Sequence, residues 1–165
     1  MKMHRLAIAS TSLLAIATFA WAAEVREPVT QLTEVAVTYL ERCGGCHGIH
    51  GHSAPGEVPS LRGQVGYFLC VPEGRAYLAR LPSVALSPLD DQQLAQLLNF
   101  VVFELGGAQD GGEAQRYTAT EVGQLRQQPL NDVSLAAFRA GLVDRMISRC
   151  GAPTSLREYA STMSK

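Results

Sequence analysis

The chain has 165 residues, a formal net charge of −1 and 47% hydrophobic content. That content suits one packed core, or one small domain with an extension, and is too low for a membrane protein. The balance of charge excludes nucleic acid as an expected partner, and apart from Lys2 and Lys165 every basic residue is arginine, so no ring of docking lysines is available.

Residues 1–22 read as a secretory leader. Lys2, His4 and Arg5 make a basic start, Leu6 to Phe19 an apolar run, and Ala20-Trp21-Ala22 a small-x-small cleavage site that leaves Ala23 as the first mature residue. Loss of Lys2 and Arg5 takes the net charge from −1 to −3. The apolar run is short for a membrane helix, so no stable span is expected after cleavage.

Residues 30–43 predict an amphipathic helix, with Leu32, Val35, Ala36, Tyr39, Leu40 and Cys43 at helical spacing. It leads into Cys43-Gly44-Gly45-Cys46-His47. Two cysteines separated by two residues and followed by histidine form the pattern of c-type haem attachment. The spacing has a chemical reason: two thiols can add to the two vinyl groups of a haem, and the adjacent imidazole then reaches the iron as proximal ligand. A zinc site needs more ligands than this cluster supplies, and a thioredoxin-like pair expects a βαβ setting that the sequence lacks. Leader and motif agree, because c-type haem is attached outside the bacterial cytoplasm. The expected location is therefore the periplasm, where cysteine oxidation is also permitted.

Residues 48–66 hold Gly48, Gly51, Pro55, Gly56, Pro59, Gly63 and Gly66 and predict a wrapping loop. A short helix is expected over 75–81, after Gly74. The clearest helix spans 90–105, with Asp90 and Gln93 as a capping box, Leu94, Leu97, Leu98, Val101 and Leu105 as its buried stripe, and Gly106-Gly107 as its end. Residues 107–116 read as a Gly-rich linker. Beyond it, Thr118 and Glu121 form a second capping-box pattern, and Asn131 or Asp132 is expected to cap a last helix bearing Leu135, Phe138, Leu142 and Met146 on one face. Gly151 and Pro153 end that helix, and the last dozen residues are expected to fray. The fold class is all-α: a haem domain over 23–106, a helical extension over 117–151 and a tail over 152–165.

With these residues in hand, the chain resembles the class I c-type cytochromes over roughly residues 30–106. Besides the single haem motif, Tyr39 stands four residues before Cys43, Phe100 lies on the last core helix, and Pro59 lies twelve residues after His47 with Leu61 following. The resemblance implies a small cytochrome c fold around one covalent haem c and a packed Tyr39–Phe100 pair. It also implies a hydrogen bond from the His47 ring N–H to the Pro59 carbonyl, which fixes the tautomer and raises ligand basicity. The family usually supplies a distal methionine in a Met-Pro pair before the last core helix. Here that pair is Leu81-Pro82. The sixth position is then open or water-bound, or is reached by Cys70, by Met146, or by His50 or His52; the open site is the favoured reading.

Cys70 and Cys150 remain after the two thioethers. A leftover even pair in an exported chain suggests a disulfide that would tie the extension to the core, with two separate buried thiols as the alternative. Arg62, Arg75 and Arg80 are candidate partners of haem propionates. The resemblance implies a one-electron carrier between redox proteins, an exported dehydrogenase among the candidate donors. Two other classes stay open: a haem site that binds or acts on oxygen, nitric oxide or peroxide, and a cytochrome subunit docked to a larger redox complex through its extension.

Overall fold

Thr33 opens the first helix, its hydroxyl accepting from the Ala36 N–H at 3.3 Å, with Glu34 in the electropositive first turn. In the computed structural model, which describes residues 32–54, 58–108, 114–131 and 134–158, the helix runs over Glu34–Tyr39 and continues through a π-helical stretch, Leu40–Gly44, and a further turn, Gly45–His47. We call the whole of 34–47 helix α1. It starts and ends four residues later than the expected 30–43. Gly44 and Gly45 both take helical angles, since glycine permits a bend without enforcing one. The candidate leader and the middle of the linker lie outside the described residues.

Helix α2 spans Pro72–Arg80. It begins earlier than the expected residue 75 because Pro72, with φ preset and no N–H to lose, suits a first helical turn. Gly74 lies inside it, not before it: a Cβ there would collide with the Phe68 carbonyl. The four-residue helix α3, Pro82–Ala85, follows directly. Helix α4 covers Asp91–Asn99 and continues as a π-helix over Phe100–Leu105. Its capping box is complete: Gln93 N–H donates to Asp90 at 2.8 Å, and the Asp90 N–H donates to the Gln93 side chain at 3.1 Å.

Helix α5, Ala119–Leu125, is capped by Thr118 as expected, but the Glu121 carboxylate turns to Arg75 instead of closing the box. Helix α6 spans Leu135–Cys150 and is capped by Ser134, not by Asn131 or Asp132, and Gly151 ends it with φ 63°. All regular elements among the described residues are helical, and none of the helices is long and apolar enough to cross a membrane.

The described residues belong to one compact unit that starts at Leu32. Its core joins α1, α4 and the 3-10 turn Val65–Cys70 to α2, α5 and α6. Gly66 and Gly106 let the 3-10 turn pass over the end of α4, where a Cβ on Gly66 would lie 2.6 Å from the Gly106 oxygen. A column of stacked rings, Phe68, Tyr77 and Phe138, with centroids 5.6 and 5.7 Å apart, links that turn, α2 and α6.

Cys70 and Cys150 form a disulfide, with Cα atoms 6.4 Å apart. The tail does not fray where it is described: Leu156 is buried in a 3-10 turn, Thr154–Arg157, and its carbonyl accepts from the Arg139 guanidinium at 2.9 Å. Apolar Ala152 and Leu156 give this segment something to bury, which the high polarity around them obscured.

Candidate functional site

Helix α1 delivers the motif. Cys43 sits in its π-helical stretch, half-buried, and Cys46 and His47 on the following turn; both thiols are free, and Cys46 is exposed. Single π turns inside α-helices recur at functional sites, because the extra residue re-aims the side chains that follow.

Gly48 then reverses the chain at φ 72°, where a side chain would strike the His52 carbonyl. Tyr39, only 1% exposed, ties this corner by donating its hydroxyl to the Gly48 carbonyl at 2.7 Å, and its ring meets Phe100 at 5.6 Å between centroids. Burial raises the Tyr39 pKa, so the phenol stays a donor.

His47 Nδ1 lies 3.0 Å from the Pro59 carbonyl oxygen. A carbonyl can only accept, so Nδ1 carries the proton and Nε2 keeps its lone pair. Burial pushes the His47 pKa below 6.5, against the opposing pull of the Pro59 bond, and so favours the neutral, ligating ring. Burial first, and Cys46 second, raise the Cys43 thiol. Pro59 is held in turn by the loop around it: the Gly51 carbonyl accepts from the Ser60 hydroxyl and from the Leu61 and Arg62 N–H groups.

Cys43, His47, Pro59 and Leu81 all line one cavity of about 430 Å³; Cys46 is not among its lining residues. Its other walls are mainly apolar, from Phe68, Leu78, Val84, Leu94 and Leu98 among others, and the start of α6 adds Leu135, Ala136 and Arg139. The fit to a haem rests on this set: the Cys43 thiol in the wall with the Cys46 thiol three residues on, one imidazole with its tautomer fixed, and apolar walls to exclude water. No cluster of three or more His, Cys, Asp or Glu able to hold a bare metal ion occurs among the described residues.

Cys70 is spent in the disulfide, Met146 is fully buried in the core and does not line the cavity, and His50 and His52 are exposed.

Two of the candidate propionate partners are engaged elsewhere. Arg75 grips Glu121 through two hydrogen bonds, of 2.5 and 2.7 Å, and lies 4.1 Å from the Tyr117 ring centre; the Glu121 bond raises its pKa. Arg80 donates to the Gln128 carbonyl at 2.6 Å. Arg62 is exposed.

Sequence reasoning missed Arg126 and Arg139. The signal was there in the near-absence of lysine: a guanidinium offers five donors in a fixed fork, suited to gathering several carbonyls.

Cytochrome c-552 of Thermus thermophilus, in two curated sequences, is 29% identical to this chain over 119 residues, covering 61% of this chain and 91% and 80% of the two relatives. The chain is a distant relative of a c-type cytochrome. No protein-family profile matches it, and no solved structure does.

Proposed function

We propose that the chain is an exported, periplasmic monohaem c-type cytochrome that carries single electrons between redox proteins, an exported dehydrogenase among the candidate donors. The observation that carries this reading is the His47–Pro59 pairing at the wall of an apolar cavity that Cys43 also lines. Thioethers from Cys43 and Cys46 would tether the haem, His47 Nε2 would ligate its iron, and the Pro59 carbonyl fixes the ring. When bound, the haem supplies a metal centre that takes up and releases one electron with no bond to the substrate made or broken. The chain keeps that centre dry and tethered, and the low polarity of the walls favours electron transfer over chemistry on a ligand.

Acid-acetone extraction should leave the haem on the purified holoprotein, and double replacement of Cys43 and Cys46 by serine should abolish covalent attachment. Release of the haem from the unaltered protein by that extraction would end the reading. Small redox mediators should exchange electrons with it rapidly, while peroxide turnover stays near that of free haem.

A second reading is favoured by one observation, that no methionine lines the cavity while Leu81 does. The sixth position would then be open to a small ligand such as carbon monoxide, nitric oxide or oxygen. The near-infrared sulfur-to-iron charge-transfer band should be absent from the ferric protein, and the potential should lie below that of Met-ligated carriers.

A further inference from the structure

The segment between Arg80 and Asp91 contributes Leu81, Ser83 and Val84 to the cavity wall. From within, it is held by backbone bonds that span only three or four residues. Helix α3 is four residues long, and an isolated turn of helix is unstable. Two clamps from the extension flank it. On one side, Arg80 donates to the Gln128 carbonyl at 2.6 Å and the Leu130 N–H donates to the Arg80 carbonyl at 2.9 Å.

On the other side, the Arg126 guanidinium donates to the carbonyls of Ala85, Ser87 and Leu89 at 2.9, 2.6 and 2.8 Å and to the Asp91 carboxylate at 3.1 Å. These carbonyls lie at the last residue of α3 and just beyond it, where a helix end leaves acceptors without helical donors. The Arg126 side chain is only 16% exposed, so these charge-assisted bonds are shielded from competing water. The hold passes back to the wall through short bonds, from the N–H groups of Val84 and Ala85 to the Leu81 carbonyl at 2.9 and 2.8 Å.

We propose that Arg126 is a positioning residue that pins the 81–91 segment as a closed wall of the cavity, and so sets how readily a small uncharged ligand reaches the metal of the group held by His47. The proposal rests on the haem reading above and names the element that keeps the site closed. Arg126 touches neither the cavity nor the motif. It acts through Leu81 and Val84, and its fork is what the three carbonyls require, so lysine replaces it only in part.

The test uses the full-length holoprotein and three variants, Arg126→Ala, Arg126→Lys and Arg157→Ala. The last breaks the exposed pair between Arg157 of the tail and Asp144 of α6. Carbon monoxide association with the reduced protein is followed by flash photolysis, together with amide exchange over residues 83–87. Arg126→Ala should raise the association rate at least about tenfold, since it removes several charge-assisted bonds. Arg126→Lys should give a smaller rise, and Arg157→Ala should stay within about twofold of the unaltered protein. Binding in Arg126→Ala where the unaltered protein binds none supports the proposal equally.

Equal rates in all four proteins, or no binding in any, overturn it. Should Arg126→Ala fail to accumulate, Arg126→Lys decides against Arg157→Ala in the same way. Unchanged amide exchange over 83–87 sinks the clamp alone, whereas haem lost on acid-acetone extraction sinks the haem reading alone.

Discussion

The two walls of the cavity are held by different means. On the histidine side the side-chain hydrogen bonds are short in sequence: Tyr39 to Gly48 spans 9 residues and His47 to Pro59 spans 12. On the Leu81 side they are long: Arg126 reaches back 41 residues to Ala85, Arg75 and Glu121 are 46 apart, and the disulfide joins residues 80 apart. A wall built from neighbours can order as soon as its own loop closes, while a wall built from distant arginines orders only when the extension has docked. The Leu81 side should therefore open first when the extension is disturbed.

The largest effect should come from the Cys70–Cys150 bond. Replacing both by serine should cost about 2–4 kcal/mol, as removal of a bridge across a long loop does, read as a lower urea midpoint at unchanged slope. Amide exchange should quicken over 81–91 and 117–158 and far less over 48–54 and 58–61. Alkylation of the native protein without reductant should leave Cys70 and Cys150 unmodified. An unchanged midpoint, or equal loosening of both walls, would remove the contrast.

The same contrast explains what could be read from the sequence. Spacing alone located the Cys43–His47 motif, the Asp90–Gln93 box and the apolar face of α6, because each is a local pattern with a local cause, whereas the role of Pro59 came from the family resemblance. The partners of Arg75, Arg80 and Arg126 were not legible. Their acceptors are mostly backbone carbonyls 37 to 48 residues away, and a carbonyl leaves no mark in a sequence. Arg75 and Arg80, candidate propionate partners in the sequence, bond Glu121 and the Gln128 carbonyl instead. The expected caps at Asn131 or Asp132 missed Ser134 because three good capping residues crowd four positions, and side-chain chemistry does not choose among them.

Next in size is the Arg75–Glu121 pair, whose side chains are 19% and 31% exposed. Glu121→Ala should cost about 1–2 kcal/mol, because it leaves a half-buried guanidinium without its carboxylate. Breaking the exposed Arg157–Asp144 pair should cost no more than about 1 kcal/mol. A double-mutant cycle on each pair, read by urea unfolding, checks the order; equal coupling energies would mean that burial does not separate them.

Tyr39→Phe tests the histidine side. It removes the bond to the Gly48 carbonyl and should cost about 1 kcal/mol. Because that tie is local, amide exchange should rise around Gly48–Gly51 and stay unchanged over 117–131. A response centred on the extension would contradict the separation of the two walls.

The smallest effect is one of pH, and it isolates the joint between extension and core. Tyr117 is 3% exposed and donates its hydroxyl to the Arg75 carbonyl at 2.8 Å, while Asn99 pairs with its backbone at 2.7 and 3.0 Å. Burial raises its pKa well above 10.0, against the opposing charge of Arg75. A phenol whose folded pKa is raised contributes stability that is complete below its unfolded pKa, about 10, and is lost as pH climbs through the folded value, because the unfolded chain releases its proton first. Tyr117→Phe should be less stable at neutral pH by about 1 kcal/mol, through the lost hydrogen bond. Above about pH 10 the gap between the two proteins should close, since phenylalanine has no proton to lose. Tyr39 titrates in the same direction but is present in both proteins, so the difference between their urea midpoints from pH 8 to 11 reports Tyr117 alone. A gap that stays constant across that range would mean that Tyr117 ionises freely, and that the joint between core and extension is wet.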